Sequence, residues 1–525
     1  MNVANFLAQY LKSQECSFVF GMPGGASLPV LEALREEGIN FILVRQEASA
    51  GFMADGVFQR TGKLSACLAT LGPGVTNLVS GIAQAYTERS RVLGIVSQIG
   101  SQLYPIYTHQ IIDQKSIFDA ICHGYFQIHP HRPAEQLRKM ARCVDAQLGP
   151  VIIELTKDVA NAPCLPLRLD SPPQAGVPDT TNIRAALEES QRPLLFVGAE
   201  DLSFECCLAL RELATSHNIP VLTTYRAKGL FPEDALFSLG TCGLSPVVDD
   251  IQQRLIDTAD LLICVGLDPV ELRPNWLPGW SPELRVINIS EQGQPDLLCS
   301  FDADLRGNIP KLLWKLKDYQ FSACWELQAI ERHKKTIEDI FAGDENNPAT
   351  AIGVLQQGLP DNAILCLDVG SHRITASHVW KALRPRMILQ SNGFSSMGVG
   401  VPYGIACALL EPDTPVVVLT GDMGLGMSLG EFGLIQEHRL NIIVVYLADN
   451  ALSLIELKQE RDNLPNFGVR FENPDPLALA QAFGGRGWRC TDANELAILL
   501  ETEDVLSGFH LIEVQIDPRG YRDQM

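Results

Sequence analysis

The chain has 525 residues, 46% hydrophobic and 20% charged, a balance that supports a large buried core and excludes a disordered chain. At roughly 100–200 residues per domain, this length predicts about three domains. Its 62 acidic residues outweigh 41 basic ones for a formal net charge of −21; phosphate backbones and anionic lipid repel such a chain, so neither nucleic acid nor membrane is expected as a partner.

The start, MNVANFLAQYLKSQEC, has no basic region followed by an apolar stretch and a cleavage site. No apolar run approaches the ~20 residues a membrane helix needs; segments such as 442–447 are of strand size. Fourteen cysteines are scattered without a C-x-x-C. Several, such as Cys67, Cys264, Cys366 and Cys407, sit in apolar stretches, which predicts buried reduced thiols in a cytoplasmic protein. H-E-x-x-H and zinc-ribbon spacings are absent.

In chain order, apolar β-branched runs at 17–20, 41–44, 65–70, 92–99 and 151–155 alternate with amphipathic segments such as 27–37 and 47–61. That alternation predicts parallel β-α-β units. Pro163, Pro166, Pro172 and Pro173 mark a linker. A second set of runs follows at 193–198, 221–224, 261–266 and 285–289, a polar stretch at 343–348, and a third set at 363–368, 416–420, 442–447 and 510–516. The reading is α/β, with three doubly wound parallel-sheet domains at 1–165, 185–335 and 345–525. Continuous apolar runs suit strands buried on both faces, and ligands of such sheets sit beyond the carboxyl ends of the strands.

Two of those ends stand out. After 416–420 comes Gly421-Asp422-Met423-Gly424-Leu425-Gly426. Glycines there allow backbone amides to approach a phosphate, and Asp422 is a candidate ligand for a divalent ion. The same residues would also serve an ordinary strand-to-helix turn with an Asp cap. One strand–helix–strand repeat later comes Ala448-Asp449-Asn450-Ala451. Two carboxylates at the ends of neighbouring parallel strands, beside a glycine-rich turn, meet the preference of Mg²⁺ for oxygen ligands and phosphate co-ligands.

With that pair, the sequence resembles the thiamine-diphosphate enzymes, and within them the acetolactate synthase group, over almost the whole chain. In the family's G-D-G…N motif, Asp422 and Asp449 take the two side-chain ligand positions and the Ala451 carbonyl the third. Met423 stands where the family commonly has Gly or Ala, and Asp449 where it has Asn, as in catabolic acetolactate synthases. Asn450 is the alternative ligand if the preceding loop is one residue longer. Glu431 matches the glutamate that follows the motif and is read as structural.

The first domain carries matching motifs. Gly21-Met22-Pro23-Gly24-Gly25-Ala26 is similar to G-Y-P-G-G-A, and Val44-Arg45-Gln46-Glu47-Ala48-Ser49-Ala50 to V-R-H-E-x-x-A. Ala69-Thr70-Leu71-Gly72-Pro73-Gly74-Val75-Thr76-Asn77 is similar to A-T-x-G-P-G-x-T-N. Thr108-His109-Gln110-Ile111-Ile112-Asp113 resembles the A-F-Q-E-x-D loop over the reacting centre, with His109 in place of Phe. In the third domain, Asp368-Val369-Gly370-Ser371-His372 resembles D-V-G-x-H, and Gly393-Phe394-Ser395-Ser396-Met397-Gly398 resembles G-x-x-x-M-G.

The resemblance implies pyrimidine-binding, central and diphosphate-binding domains in that order. It implies thiamine diphosphate and Mg²⁺, the metal on Asp422, Asp449 and Ala451. Glu47 falls on the glutamate that hydrogen-bonds the pyrimidine N1′, Met397 on the residue that wedges between the two rings, and Gln110 and His109 on substrate-positioning sites. Gly24, Gly25, Gly72, Asn77, Gly370, Ser371, His372, Ser395, Gly421, Met423 and Gly424 fall on the remaining cofactor-binding positions. The family's sites lie between the first domain of one subunit and the third of another, which implies a homodimer at least and a tetramer as the usual state.

Gly266-Leu267-Asp268-Pro269-Val270-Glu271 resembles the G-Y-D-P-x-E of FAD-free members, so no flavin is expected. Lys458 stands where anabolic members carry a Trp, with Leu454 and Ile455 walling the substrate pocket. The activity implied is decarboxylation of a 2-oxo acid, pyruvate first among them, with ligation to a second carbonyl. Simple 2-oxo acid decarboxylation, or a non-catalytic protein retaining the fold, are the alternatives.

Overall fold

The computed structural model describes residues 1–100, 102–103, 106–146, 149–165, 176–276, 279–292 and 300–524. Of the expected linker, Pro166, Pro172 and Pro173 fall outside these residues. Among the described residues, eighteen strands form three six-stranded sheets, and all their pairings are parallel. The first sheet contains β1 (Phe18–Met22), β2 (Asn40–Leu43), β3 (Ser65–Ala69), β4 (Val92–Gln98), β5 (Gly124–Gln127) and β6 (Val151–Thr156), in the order β2-β1-β3-β4-β6-β5. The second contains β7 (Pro193–Val197), β8 (Val221–Thr224), β9 (Ser238–Cys242), β10 (Leu261–Val265), β11 (Arg285–Ser290) and β12 (Ala303–Arg306), ordered β12-β11-β10-β7-β8-β9.

The third contains β13 (Ile364–Leu367), β14 (Ile388–Leu389), β15 (Val416–Gly421), β16 (Ile442–Ala448), β17 (Arg486–Cys490) and β18 (Phe509–Gln515), ordered β14-β13-β15-β16-β18-β17. This repeats the order of the first sheet. In each, the strand order reverses beside a central strand, between β1 and β3 or between β13 and β15, which is where an open α/β sheet forms its ligand crevice.

The central strands are the long apolar runs expected from sequence. Every residue of β4, β6 and β16 is buried, because helices cover both faces. Five strands lie outside the expected set: β5, β9, β12, β14 and β17. All are sheet edges. Edge strands pair on one side only, and β5, β12 and β17 leave several side chains half-buried or exposed, so they lack a continuous apolar signature.

The first and third sheets share one hydrophobic core, which runs from Phe20, Met53 and Leu78 through Tyr403 and Ile405 to Phe432. Helix Glu47–Thr61 is its axis. It approaches helix Pro73–Thr87 so closely that a Cβ at Gly51 would lie 2.5 Å from the Gly81 Cα. On its other side it meets helix Gly400–Leu410, whose Tyr403 hydroxyl donates to the fully buried Asp55 carboxylate.

All three sheets meet at Glu88. Its carboxylate accepts Asn392 N at 2.6 Å, Asn392 Nδ2 at 2.8 Å and Gly393 N at 3.0 Å from the third domain, and pairs with Arg226 of the second at 3.5 Å. Among the described residues, no helix is long and apolar enough to cross a membrane. Cys67, Cys366 and Cys407 are buried free thiols, and Cys264 is buried as well.

Candidate active site

The third-sheet crevice holds a cavity of about 150 Å³ lined by the loops after β13, β15 and β16. Gly370, Ser371, His372, Met397, Gly421, Asp422, Met423, Gly424, Asp449, Ala451, Leu454 and Ile455 all line it. Ten residues expected from three separate motifs, and the two expected pocket-wall residues Leu454 and Ile455, thus converge on one space.

Each loop is held by its own hydrogen bonds. Asp368, at the end of β13, accepts Val369 N at 2.6 Å, Gly398 N at 2.8 Å and Thr420 Oγ1 at 3.2 Å. One buried carboxylate therefore ties together the glycine turn, the Met397 segment and the end of β15. A Cβ on Gly424 would lie 2.7 Å from the Asp368 Oδ2, so only glycine lets that turn close over the carboxylate. The first helix after the turn, Ser371–Val379, presents its N-terminus to the cavity, where free amides favour an anion. The Ser371 hydroxyl is buried there without a hydrogen-bond partner.

The two acids face the same cavity. Asp422 Oδ2 accepts Asn450 N at 2.8 Å and Asp449 N at 3.1 Å, and Oδ1 accepts Asn473 Nδ2 at 2.7 Å. Asp449 accepts Ala451 N at 3.1 Å and the Ser453 hydroxyl. Burial raises the pKa of both acids. Asp449 reaches about 7 against the opposing Ser453 bond, with the Asp422 charge adding to the rise. Two such carboxylates and a carbonyl, joined by phosphate oxygens, make an oxygen donor set of the kind Mg²⁺ takes. Asn450 is outside the cavity wall, and its Oδ1 accepts from Asn473 Nδ2 at 3.0 Å. Among the described residues no group of three or more His, Cys, Asp or Glu gathers as a metal centre, so an ion here depends on ligands beyond the acidic side chains.

His372 is buried, with its pKa pushed down to about 3 by burial and by the neighbouring Arg373 charge. Its Nε2 lies 3.1 Å from the Asp368 carbonyl, which can only accept, so Nε2 carries the proton. The neutral ring then offers Nδ1 as an acceptor. Toward an anion in the cavity, His372 becomes a donor at Nδ1 only in its cationic form.

The first-domain residues form a second group. Glu47, the first residue of its helix, is buried, and its Oε2 accepts Asn77 Nδ2 at 3.0 Å. A Cβ on Gly74 would lie 3.2 Å from Glu47 Oε1, one on Gly24 would meet the Thr70 hydroxyl, and one on Gly72 would lie 2.6 Å from the Gln110 carbonyl. Gly25 has open space around it. His109 is exposed and faces the Tyr107 ring at 6.1 Å between centroids. The Glu431 carboxylate accepts Gln46 N at 3.1 Å and Arg45 N at 3.2 Å, so the third domain of the same chain anchors the backbone just before Glu47.

None of these first-domain residues lines the third-sheet cavity. Ser395 is also outside it, held at φ +54° with its amide donating to Ser391 Oγ at 2.8 Å. Lys458 lines a neighbouring cavity instead. Sequence reasoning missed Asn473, Ser453 and Tyr521. Tyr521 reaches the cavity from the C-terminal segment. Ser453 was legible only as the residue four beyond Asp449; Asn473 and Tyr521 belong to no strand-end motif.

Comparisons with known proteins match the three sheets in turn. The model of the thiamine pyrophosphate enzyme N-terminal binding domain matches residues 1–117, that of the central domain 180–296, and that of the C-terminal binding domain 368–514. The chain is 28% identical to the probable acetolactate synthase large subunit of Methanocaldococcus jannaschii, over 99% of this chain and 92% of the relative. It is 27% identical to the acetolactate synthase isozyme 2 large subunit of Escherichia coli, over 98% and 96%. It is 26% identical to the acetolactate synthase of Bacillus subtilis, over 98% and 93%.

Proposed function

The chain belongs to the thiamine pyrophosphate enzymes as an acetolactate synthase-like member, and from that premise we propose that it decarboxylates a 2-oxo acid, pyruvate first, and joins the remaining carbons to a second carbonyl compound. The observation that carries this reading is the paired Asp422 and Asp449 facing an unpartnered Ser371 hydroxyl across one cavity. That is the donor set a metal-bound diphosphate needs.

Thiamine diphosphate, when bound, supplies the nucleophilic carbon and the electron sink for decarboxylation. The chain's own residues do the rest. Asp422, Asp449 and the Ala451 carbonyl would hold Mg²⁺. Ser371 and the amides of its helix receive the diphosphate, with Gly370, Gly421, Met423 and Gly424 as the close-fitting floor. Met397, which lines the cavity, would supply an apolar support for the cofactor rings. Glu47 would share a proton with the pyrimidine N1′, its carboxylate fixed by Asn77. Gly24, Gly25 and Gly72 shape the pyrimidine side. Gln110 and His109 position substrate. Leu454 and Ile455 wall the substrate space and exclude water.

Because Glu47 lies outside the cavity of its own chain, the complete site takes Glu47 from one subunit and Asp422 from another, in a homodimer at least and a tetramer as the fuller assembly. The central domain takes no FAD. The turn that carries the likeness to FAD-free members packs tightly against the end of β7: a Cβ on Gly198 would lie 2.4 Å from the Gly266 carbonyl and 2.8 Å from Glu271 Oε2. The domains divide at 1–165, 185–335 and 345–525, and the protein works in the cytoplasm.

The test is to supply purified protein with thiamine diphosphate, Mg²⁺ and pyruvate, alone and with a panel of aldehydes and 2-oxo acids, and to identify the products. CO₂ with a carbon–carbon coupled product is expected. Acetaldehyde as sole product would make the protein a simple decarboxylase, and no consumption of any 2-oxo acid would overturn the reading.

A further inference from the structure

Beside the candidate active site lies a second cavity, of about 480 Å³, between the central domain and helix Ser453–Arg461 of the third. The helix contributes Leu454, Leu457, Lys458 and Arg461, spaced so that they share one face. Arg273 and Pro246 line it from the central domain, and Arg522 from the C-terminal segment. Four cationic side chains thus surround it against a single carboxylate, Glu460, in a chain whose net charge is −21.

Two of the cations are committed: Arg522 pairs with Glu460, and Arg461 pairs with Asp462 at 3.0 Å. The side chains of Arg273 and Lys458 have neither a hydrogen bond nor an ion pair among the described residues; their backbone carbonyls accept from Trp276 N and Asp462 N. Arg273 is also half-buried, and burial holds its pKa below that of a free guanidinium, with Asp249 acting against the shift. The two cavities adjoin. Leu454 lines both, and the successive residues Tyr521 and Arg522 line one each.

We propose that this cavity receives the terminal anionic group, carboxylate or phosphate, of the acceptor substrate, with Arg273 and Lys458 as its specificity-determining residues. The inference rests on the carboligation reading above and names its acceptor class. In the step, the donor's carboxyl carbon leaves as CO₂. The electron pair of that broken bond forms the new bond to the acceptor's carbonyl carbon. The acceptor's oxygen takes up one proton from solvent, and no external oxidant or reductant is required. The acceptor's carbonyl lies at the Leu454–Ile455 wall while its charged end reaches across Leu454, where guanidinium and ammonium groups favour an oxyanion.

The experiment uses the protein loaded with thiamine diphosphate and Mg²⁺, pyruvate as donor, and acceptors in pairs that differ only in the charged end: 4-oxobutanoate against butanal, and glyceraldehyde 3-phosphate against glyceraldehyde. At least one charged member is expected to exceed its neutral partner in kcat/KM by about tenfold or more, and the pair that does so identifies the anion. Arg273→Gln and Lys458→Met should each reduce that ratio. Equal use of both members in both pairs, or a preference that survives both substitutions, would overturn the inference while leaving carboligation intact.

Calorimetric titration with glutarate and with inorganic phosphate decides independently of turnover. Binding that weakens in both variants and with added salt supports the cavity as an anion site. No binding, or binding indifferent to both substitutions, overturns it even if no 2-oxo acid is consumed.

Discussion

At the scale of single residues, Glu47 and Asp422 bear the sharpest expectations. Glu47→Gln keeps the side chain's size and its contact with Asn77 but removes the ionisable group. Cofactor affinity should be largely retained, while hydrogen–deuterium exchange at the cofactor's reactive carbon slows by about 10²–10⁴, the range of general acid–base contributions. Exchange is readable by NMR before any substrate is chosen, and an unchanged rate would remove Glu47 from that role. Asp449→Ala should weaken Mg²⁺-dependent binding of thiamine diphosphate in a calorimetric titration, whereas Asn450→Ala should affect it less, because Asn450 is turned to Asn473 and away from the cavity wall. The reverse ranking would make Asn450 the second ligand.

At the scale of elements, the turn after β10 carries a pH dependence. Asp268 and Glu271 cap each other there, Asp268 Oδ1 accepting Val270 N at 3.1 Å and Glu271 Oε2 accepting Asp268 N at 3.4 Å. Burial raises Glu271 to about 8; Arg226 opposes this and Asp268 adds to it, while Tyr225 and Cys242 also face the group. A carboxyl whose folded pKa lies above its unfolded value holds an extra proton in the folded state. Its contribution to stability is therefore complete below about 4.5 and is lost as pH rises toward 8. Glu271→Gln mimics the protonated acid. Its urea midpoint should vary less between pH 5 and pH 8 than that of the unsubstituted chain, by an amount worth a few kcal/mol at most, on the order of 1.4 kcal/mol per unit. Equal slopes would show that Glu271 does not titrate in this window.

Elements also divide by how legible they were. Central strands announce themselves by apolar runs, and the loops after them by glycine and acid motifs, whereas the helix Glu47–Thr61, expected to be amphipathic, is buried on nearly every side because it lies between two other helices. The edge strands β5, β9, β12, β14 and β17 do not, since a strand paired on one side need not be apolar throughout. Asn473, which donates to Asp422, and the cavity residues Tyr521 and Arg273 come from segments that carry none of the site's motifs. What brings them to the site is the packing of distant parts of the chain, which neither periodicity nor spacing encodes.

At the scale of the whole molecule, the separation of Glu47 from the third-sheet cavity allows a complementation test. Glu47→Gln and Asp422→Ala chains should each be inactive alone. When subunits are mixed and allowed to exchange, a heterodimer has one site with both defects and one with neither, so about a quarter of the unsubstituted activity should return for random pairing of a twofold dimer. No recovery despite proven exchange would place both residues in a site within one chain.

The matching strand order of the first and third sheets has a bearing on descent. Two domains of the same winding, packed on one shared core, have the form a tandem duplication leaves behind, with the two copies since diverged. One crevice presents a buried glutamate and its asparagine, the other an acidic pair and a glycine floor, a division of labour open only to a chain that carries the winding twice. In the assembly proposed above, selection on either crevice would act through its counterpart in the neighbouring subunit. Across lineages, substitutions in the loops of the first domain should track those in the third more closely than either tracks the central domain, whose one cation in the second cavity, Arg273, is free to drift with the substrate.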